Sequence, residues 1–137
     1  MKKLIITFIS AITSLPVLAY TQSEFETRFN TLNFKDTEYV DEFFASVDRF
    51  PATSNEEEKI QLYARSIYLN CKIYLNTSAI QDLIEKYPQY YKKQFDAQSR
   101  TKHQTGIQSR LNFNSMYFQL LQKPASSCTE TFGIYSD

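Results

Sequence analysis

SNEEEKIQLYARSIYLNCKIY, residues 54–74, is the stretch on which the fold reading turns. Ser54 followed three residues later by Glu57 reads as a capping box, in which each side chain satisfies a backbone N–H of the first helical turn. The acids Glu56, Glu57 and Glu58 fall on that turn, where the positive end of the helix dipole favours them. Ile60, Tyr63, Ala64, Ile67, Cys71 and Tyr74 then recur at helical spacing and predict one apolar face.

The same period extends outward in both directions. Phe25, Phe29 and Leu32 predict a short first helix. Asp36 or Thr37 then caps a second, with Val40, Phe43, Phe44 and Val47 inward, ended by Phe50-Pro51. Downstream, Thr77 or Ser78 is expected to cap a further helix carrying Ile80, Leu83 and Ile84, stopped at Tyr87-Pro88 because the residue before proline avoids helical backbone. A short helix over 89–95 follows. The polar stretch 98–106 admits two readings, a loop or the exposed middle of one long helix. A last helix carries Ile107, Leu111, Phe113, Met116, Tyr117, Leu120 and Leu121 before Pro124. With two glycines in the whole chain and no Asn-Gly or Asp-Gly hairpin signal, the expectation is all-α. It is a small single-domain bundle of about five or six helices over residues 20–137, with the tail 125–137 outside it.

The first 19 residues read differently. Lys2 and Lys3 form a positive start, residues 4–15 are apolar apart from Thr7, Ser10, Thr13 and Ser14, and Pro16 precedes Val17-Leu18-Ala19. This is the three-part pattern of a cleavable secretory signal, with cleavage predicted after Ala19. The apolar stretch is shorter than the roughly 20 residues that span a bilayer, so stable membrane insertion is not expected. The short Lys-Lys leader reads as bacterial, which sets the destination as the periplasm or the outside. In such a compartment Cys71 and Cys128, the two cysteines of the chain, are expected to pair and fasten the tail to a helix.

Charge narrows the partners. The chain holds 15 basic and 15 acidic residues; without Lys2 and Lys3 the balance is 13 to 15, a net of −2. Nucleic acid needs a basic field, so it is not the expected partner. Residues 20–60 carry ten acids and four bases, and residues 61–137 five acids and nine bases. Such halves attract each other in the fold or offer a polar interaction surface.

Chemistry finds little support. His103, the single histidine, lies in a basic polar stretch and reads as a solvent-exposed side chain with no acid to orient it. One histidine and two paired cysteines do not make a zinc site. The carboxylate pairs Glu38/Glu42 and Asp82/Glu85 read as wetted helix faces, and no Gly-rich phosphate loop is present. No catalytic residue, metal or cofactor is expected. Asn76-Thr77-Ser78 matches a glycosylation sequon but reads more simply as a helix cap.

Aromatic content stands out. The ten tyrosines and eleven phenylalanines, less Phe8 in the leader, leave 20 aromatic residues among 118. Tyr87, Tyr91 and Phe95 fall at i, i+4, i+8 and are expected inside. Tyr90, Lys92 and Lys93 remain outside and, with Arg100, Lys102, His103 and Arg110, form the predicted partner-binding surface, since aromatics and arginine are enriched at interfaces. In size, helicity, export and single disulfide the chain resembles the small helical, disulfide-stapled immunity proteins that bacteria place in the periplasm against secreted toxins. That resemblance is one of class, carried by no motif. It implies a protein-binding inhibitor or immunity protein that is not an enzyme. The alternatives are an accessory or structural subunit of an envelope or secretion assembly and, less favoured, a small cell-wall-acting enzyme.

Overall fold

Asn55, one residue later than Ser54, starts the central helix. Its Oδ1 accepts from the N–H groups of Glu57 and Glu58 at 2.9 and 3.3 Å. The shift arises because Thr53 tightens the turn, its hydroxyl accepting from Asn55 N–H and donating to Glu58 at 2.6 Å. That bond also holds the Glu58 carboxyl below its ordinary value. From this cap α2 (Glu56–Lys86) runs unbroken, about 46 Å at 1.5 Å per residue. The break expected at Thr77 or Ser78 is absent. No glycine or proline interrupts the segment, and the Thr77 hydroxyl donates to Asp36 of another helix instead of capping its own.

A computed structural model describes residues 20–122 and Cys128 of the chain. The leader 1–19, the predicted cleavage point after Ala19 and all of the tail except Cys128 lie outside the described residues. Among those described, four α-helices replace the five or six expected: α1 (Gln22–Arg49), α2, α3 (Pro88–Gln94) and α4 (Ala97–Leu120), with one 3-10 turn at Phe50–Ala52. The difference has one cause, repeated. Asp prefers helix ends, which makes Asp36 an expected cap. Instead it sits inside α1, buried to 1% exposure, while Asn33 and Thr37 bond back to the carbonyls of Phe29 and Asn33 without bending out of the helix. α1 takes its capping box from Thr21 and Glu24. The polar stretch 98–106 is helix, capped by Asp96, whose carboxylate accepts from Ser99 N–H at 2.7 Å.

α1 and α2 form a long antiparallel hairpin, and α4 lies antiparallel on another face of α2. Two ion pairs join the acidic first half to the basic second, Arg65 to Glu42 and Arg110 to Asp36. Three apolar clusters fill the bundle. Phe25, Phe29, Leu32, Ile80, Ile84, Tyr91 and Ile107 form the first, with Tyr87 and Phe95 packed against it as the i, i+4, i+8 spacing predicts. Phe43, Tyr68, Leu69 and Ile73 form the second. In the third, the sulfur atoms of Cys71 and Cys128 lie at bonding distance, with Cα atoms 5.3 Å apart, and Phe118 covers them. The face expected of α2 is displaced: Leu62, Ser66, Leu69, Ile73, Asn76, Thr77, Ile80 and Ile84 are buried, whereas Ile60 and Tyr63 are exposed. A helix gripped by two neighbours buries some polar positions, and apolar periodicity alone does not find them.

Candidate functional site

Between the first two clusters runs a polar seam that sets the helices against one another. The Asp36 carboxylate accepts from Thr77 Oγ1 at 2.9 Å and from Asn76 Nδ2 at 3.4 Å. Arg110 Nε stands 2.9 Å from its Oδ2 as an ion pair, at an angle outside hydrogen-bond geometry. Asn76 Nδ2 also donates to the Leu32 carbonyl at 2.7 Å. One turn along, Asn114 donates to the side chain and carbonyl of Asn70, and beyond that Ser66 and Tyr117 share a hydroxyl contact at 2.8 Å. Positions 66, 70 and 77 of α2 thus face 117, 114 and 110 of α4, the last through Asp36. Slipping α4 by one turn would part Arg110 from Asp36, Asn114 from Asn70 and Tyr117 from Ser66, at about 1–3 kcal/mol for each buried group left without its partner. Asn76 is therefore held in mid-helix and is not the helix cap read from Asn76-Thr77-Ser78.

The predicted binding residues divide on this frame. Arg110 is held in the seam. Arg100 turns back so that Nη1 donates to the carbonyls of Phe95 and Lys92, closing the end of α3. Tyr90 is half-buried, its hydroxyl on the Tyr20 carbonyl and its ring beside Phe25 and Tyr87. Lys92, Lys93 and Lys102 are exposed. His103, expected in solvent, is half-buried edge-on to Phe95 with ring centroids 4.7 Å apart, its Nδ1 3.2 Å from Tyr91 Oη. The reason is its position on a helix, four residues before the buried Ile107, which turns it toward the aromatic cluster.

Burial, with the Lys102 charge adding, holds His103 below its ordinary pKa, and burial raises the Tyr91 hydroxyl. A base whose folded pKa is depressed favours the neutral ring in the folded state. Its contribution is therefore whole above the ordinary value near 6.5 and is lost as the pH falls through the folded value. Melting temperature should accordingly drop between pH 7 and pH 5, and His103→Gln should flatten that drop. An unchanged slope in the variant would remove His103 as its source.

A second feature is not among the sequence expectations. Among the described residues, eight large apolar side chains are exposed, and seven sit at one end of the bundle. Phe44 and Val47 close α1, Phe50 begins the 3-10 turn, Ile60 and Tyr63 open α2, and Met116 and Leu120 close α4. Ile60 is 69% and Leu120 75% exposed. Phe34, the eighth, stands apart in mid-α1. Exposed carboxylates at this end include Asp41, Asp48 and Glu57, while Glu42, Glu56 and Glu58 are paired with Arg65, Lys59 and Arg49. The signal was present in sequence, but every apolar residue of a stripe was assigned to the core.

Asp36 is sealed from solvent, and among the described residues no three His, Cys, Asp or Glu side chains are placed to hold a metal ion. No described helix is long and apolar enough to cross a membrane. Set against protein-family models, characterised proteins and solved structures, the chain matches none of them.

Proposed function

We propose that this chain is an exported protein-binding module of the inhibitor or immunity class, and that it works through the apolar end of its bundle. The observation that carries the reading is the gathering of Phe44, Val47, Phe50, Ile60, Tyr63, Met116 and Leu120 at that end. Single exposed apolar residues are ordinary on any protein. Their concentration, rimmed by polar groups, marks an interaction surface, and aromatic residues are enriched at interface centres. The carboxylate rim favours a partner whose apolar contact surface is flanked by lysine or arginine, since complementary charge speeds and orients encounter. Export, as read from the leader, places that partner outside the cytosol. The lysines at 92, 93 and 102 then lie near the opposite end, away from the contact.

The test is capture from a periplasmic extract, with the full chain expressed with its leader and Ile60→Glu/Leu120→Glu as the comparison. Both sites are exposed, so the double variant should keep its stability within about 1 kcal/mol. The wild type should hold one partner at fixed stoichiometry. The variant should bind it at least roughly 30-fold more weakly, the loss of one central apolar contact of about 2 kcal/mol. A partner retained equally by the variant would remove the apolar end from the reading. Turnover of cell-wall material with no partner would replace the reading with the enzyme alternative.

A further inference from the structure

Three faces of α2 can be told apart by what they meet. Leu69, Ile73 and Ile80 turn to α1, where Phe43 and Phe25 receive them. Ser66, Asn70 and Tyr74 turn to Tyr117, Asn114 and Phe118 of α4. At about 100° per residue, Tyr68, Lys72 and Leu75 fall on a third face, roughly 100° past the α1 side, with Cys71 between it and α4. Arg65 Cζ and Lys72 Nζ lie over the Tyr68 ring at 5.1 and 5.2 Å, and Tyr68 itself is buried. Cys128 sits at the edge of this face, its sulfur at bonding distance from that of Cys71 and with Leu75 packed on the pair. Thr129-Glu130-Thr131-Phe132-Gly133-Ile134-Tyr135-Ser136-Asp137 follow it in the sequence.

We propose that residues 129–137 run back along this third face toward Arg65, as a strap whose start is set by the disulfide. Alternate residues of an extended segment share a side, so Glu130, Phe132 and Ile134 face α2 together. Reach is ample. Nine extended residues span roughly 30 Å, whereas Cys71 to Arg65 is about 9 Å along the helix. Charge sets the direction. Residues 124–137 hold two acids, Glu130 and Asp137, and no base. Toward the start of α2 the face offers Lys72 and Arg65, the second of which also meets Glu42. Toward its end the face comes first to Asp82, a like charge, and then to Lys86, which lies over the Tyr87 ring. Phe132 then packs on Tyr68 as one more aromatic pair, with Glu130 held near the two cations. The strap does not rest on the reading of the apolar end, and partner capture can fail while it stands.

The experiment is NMR of the full disulfide-bonded chain beside a chain ended after Cys128, with the bond checked in both by intact mass. In the full chain the Phe132 ring should show Overhauser contacts to Tyr68. Ending the chain should shift the Arg65 Nε–H and the Tyr68 ring, while the signals of Ile80 and Asn114 stay in place. A peptide of residues 129–137 at millimolar concentration should move those signals back, and should leave the full chain unchanged because its face is taken. With Phe132→Ala the peptide should need at least about tenfold more, the loss of one buried ring. Lys72→Glu should weaken the peptide about threefold, the scale of an exposed ion pair, and Glu130→Lys in the peptide should restore it. Phe132 contacts to Phe44 or Phe113, in the slot between α1 and α4, would overturn the proposal. So would contacts between separately labelled copies, or a chain ended after Cys128 whose Tyr68 and Arg65 signals do not move.

Discussion

Replacing Asp36 by alanine should lower the stability of the oxidised domain by about 3 kcal/mol, the lower end of the range for removing one member of a buried charged pair. The melting temperature should fall by roughly 12 °C, at about 4 °C per kcal/mol for a domain of this size. The carboxylate is buried to 1% exposure and touches three groups on two other helices. Its loss leaves the Thr77 hydroxyl and the Arg110 guanidinium without their partner and opens a small void. The effect stays at the lower end because Arg110 is 39% exposed and can turn to water. Asn76 likewise keeps the Leu32 carbonyl. Asp36→Asn retains an acceptor for Thr77 and should lose about half as much. Asp36→Leu with Arg110→Leu should recover most of the stability, since a buried ion pair replaced by apolar residues of similar volume is often close to neutral. Thr77 can then bond back to the carbonyl four residues before it. Thermal and urea unfolding of the three variants is the check. An Asp36→Ala protein within 1 kcal/mol of wild type would mean that the seam contributes little to holding the helices.

Reducing the disulfide should have an effect of similar size. Cys71 and Cys128 are 57 residues apart, and closing such a loop stabilises a fold by about 4 kcal/mol on the chain-entropy treatment. Residual structure in the unfolded chain trims that figure. A fall of roughly 12–15 °C on adding reductant, matched by Cys128→Ser, is therefore expected. The loss should be local first. Phe118 and the last turns of α4 pack on the sulfur atoms, so amides there should exchange faster, while the Phe25–Phe29–Ile80 cluster keeps its protection. The intact mass before reduction should lie about 2 Da below the reduced value, on a chain that begins at Tyr20 if the leader is cut as predicted. A melting temperature indifferent to reductant would show that the Cys71–Cys128 bond contributes little to stability.

These two predictions also mark where sequence was informative. Cys71 and Cys128 were legible because two cysteines behind a leader that reads as an export signal are expected to pair, whatever the rest of the chain does. The helical class, the stop at Tyr87-Pro88 and the inward Tyr91 followed from local rules of backbone and period. Asp36, Asn70, Asn76, Thr77 and Asn114 were not legible. A polar side chain is buried only when a partner from another helix meets it, and that partner lies 40 or more residues away. Propensity therefore assigned Asp36 and Thr77 to helix ends and divided two helices into four. Arg110 and His103 failed for the same reason in reverse. Each looked like surface charge, and each is turned inward by the helix it rides on. The apolar end was missed because periodicity cannot tell a stripe that meets a neighbour from one that runs past the neighbour's end.

The most direct test of the binding surface is hydrogen exchange on the captured complex against the free domain. Slowed exchange over residues 44–63 and 113–120, with residues 92–102 unchanged, is the predicted result. Protection confined to 92–102, with the apolar end exchanging as in the free protein, would contradict it and return the contact to the lysines of α3 and α4.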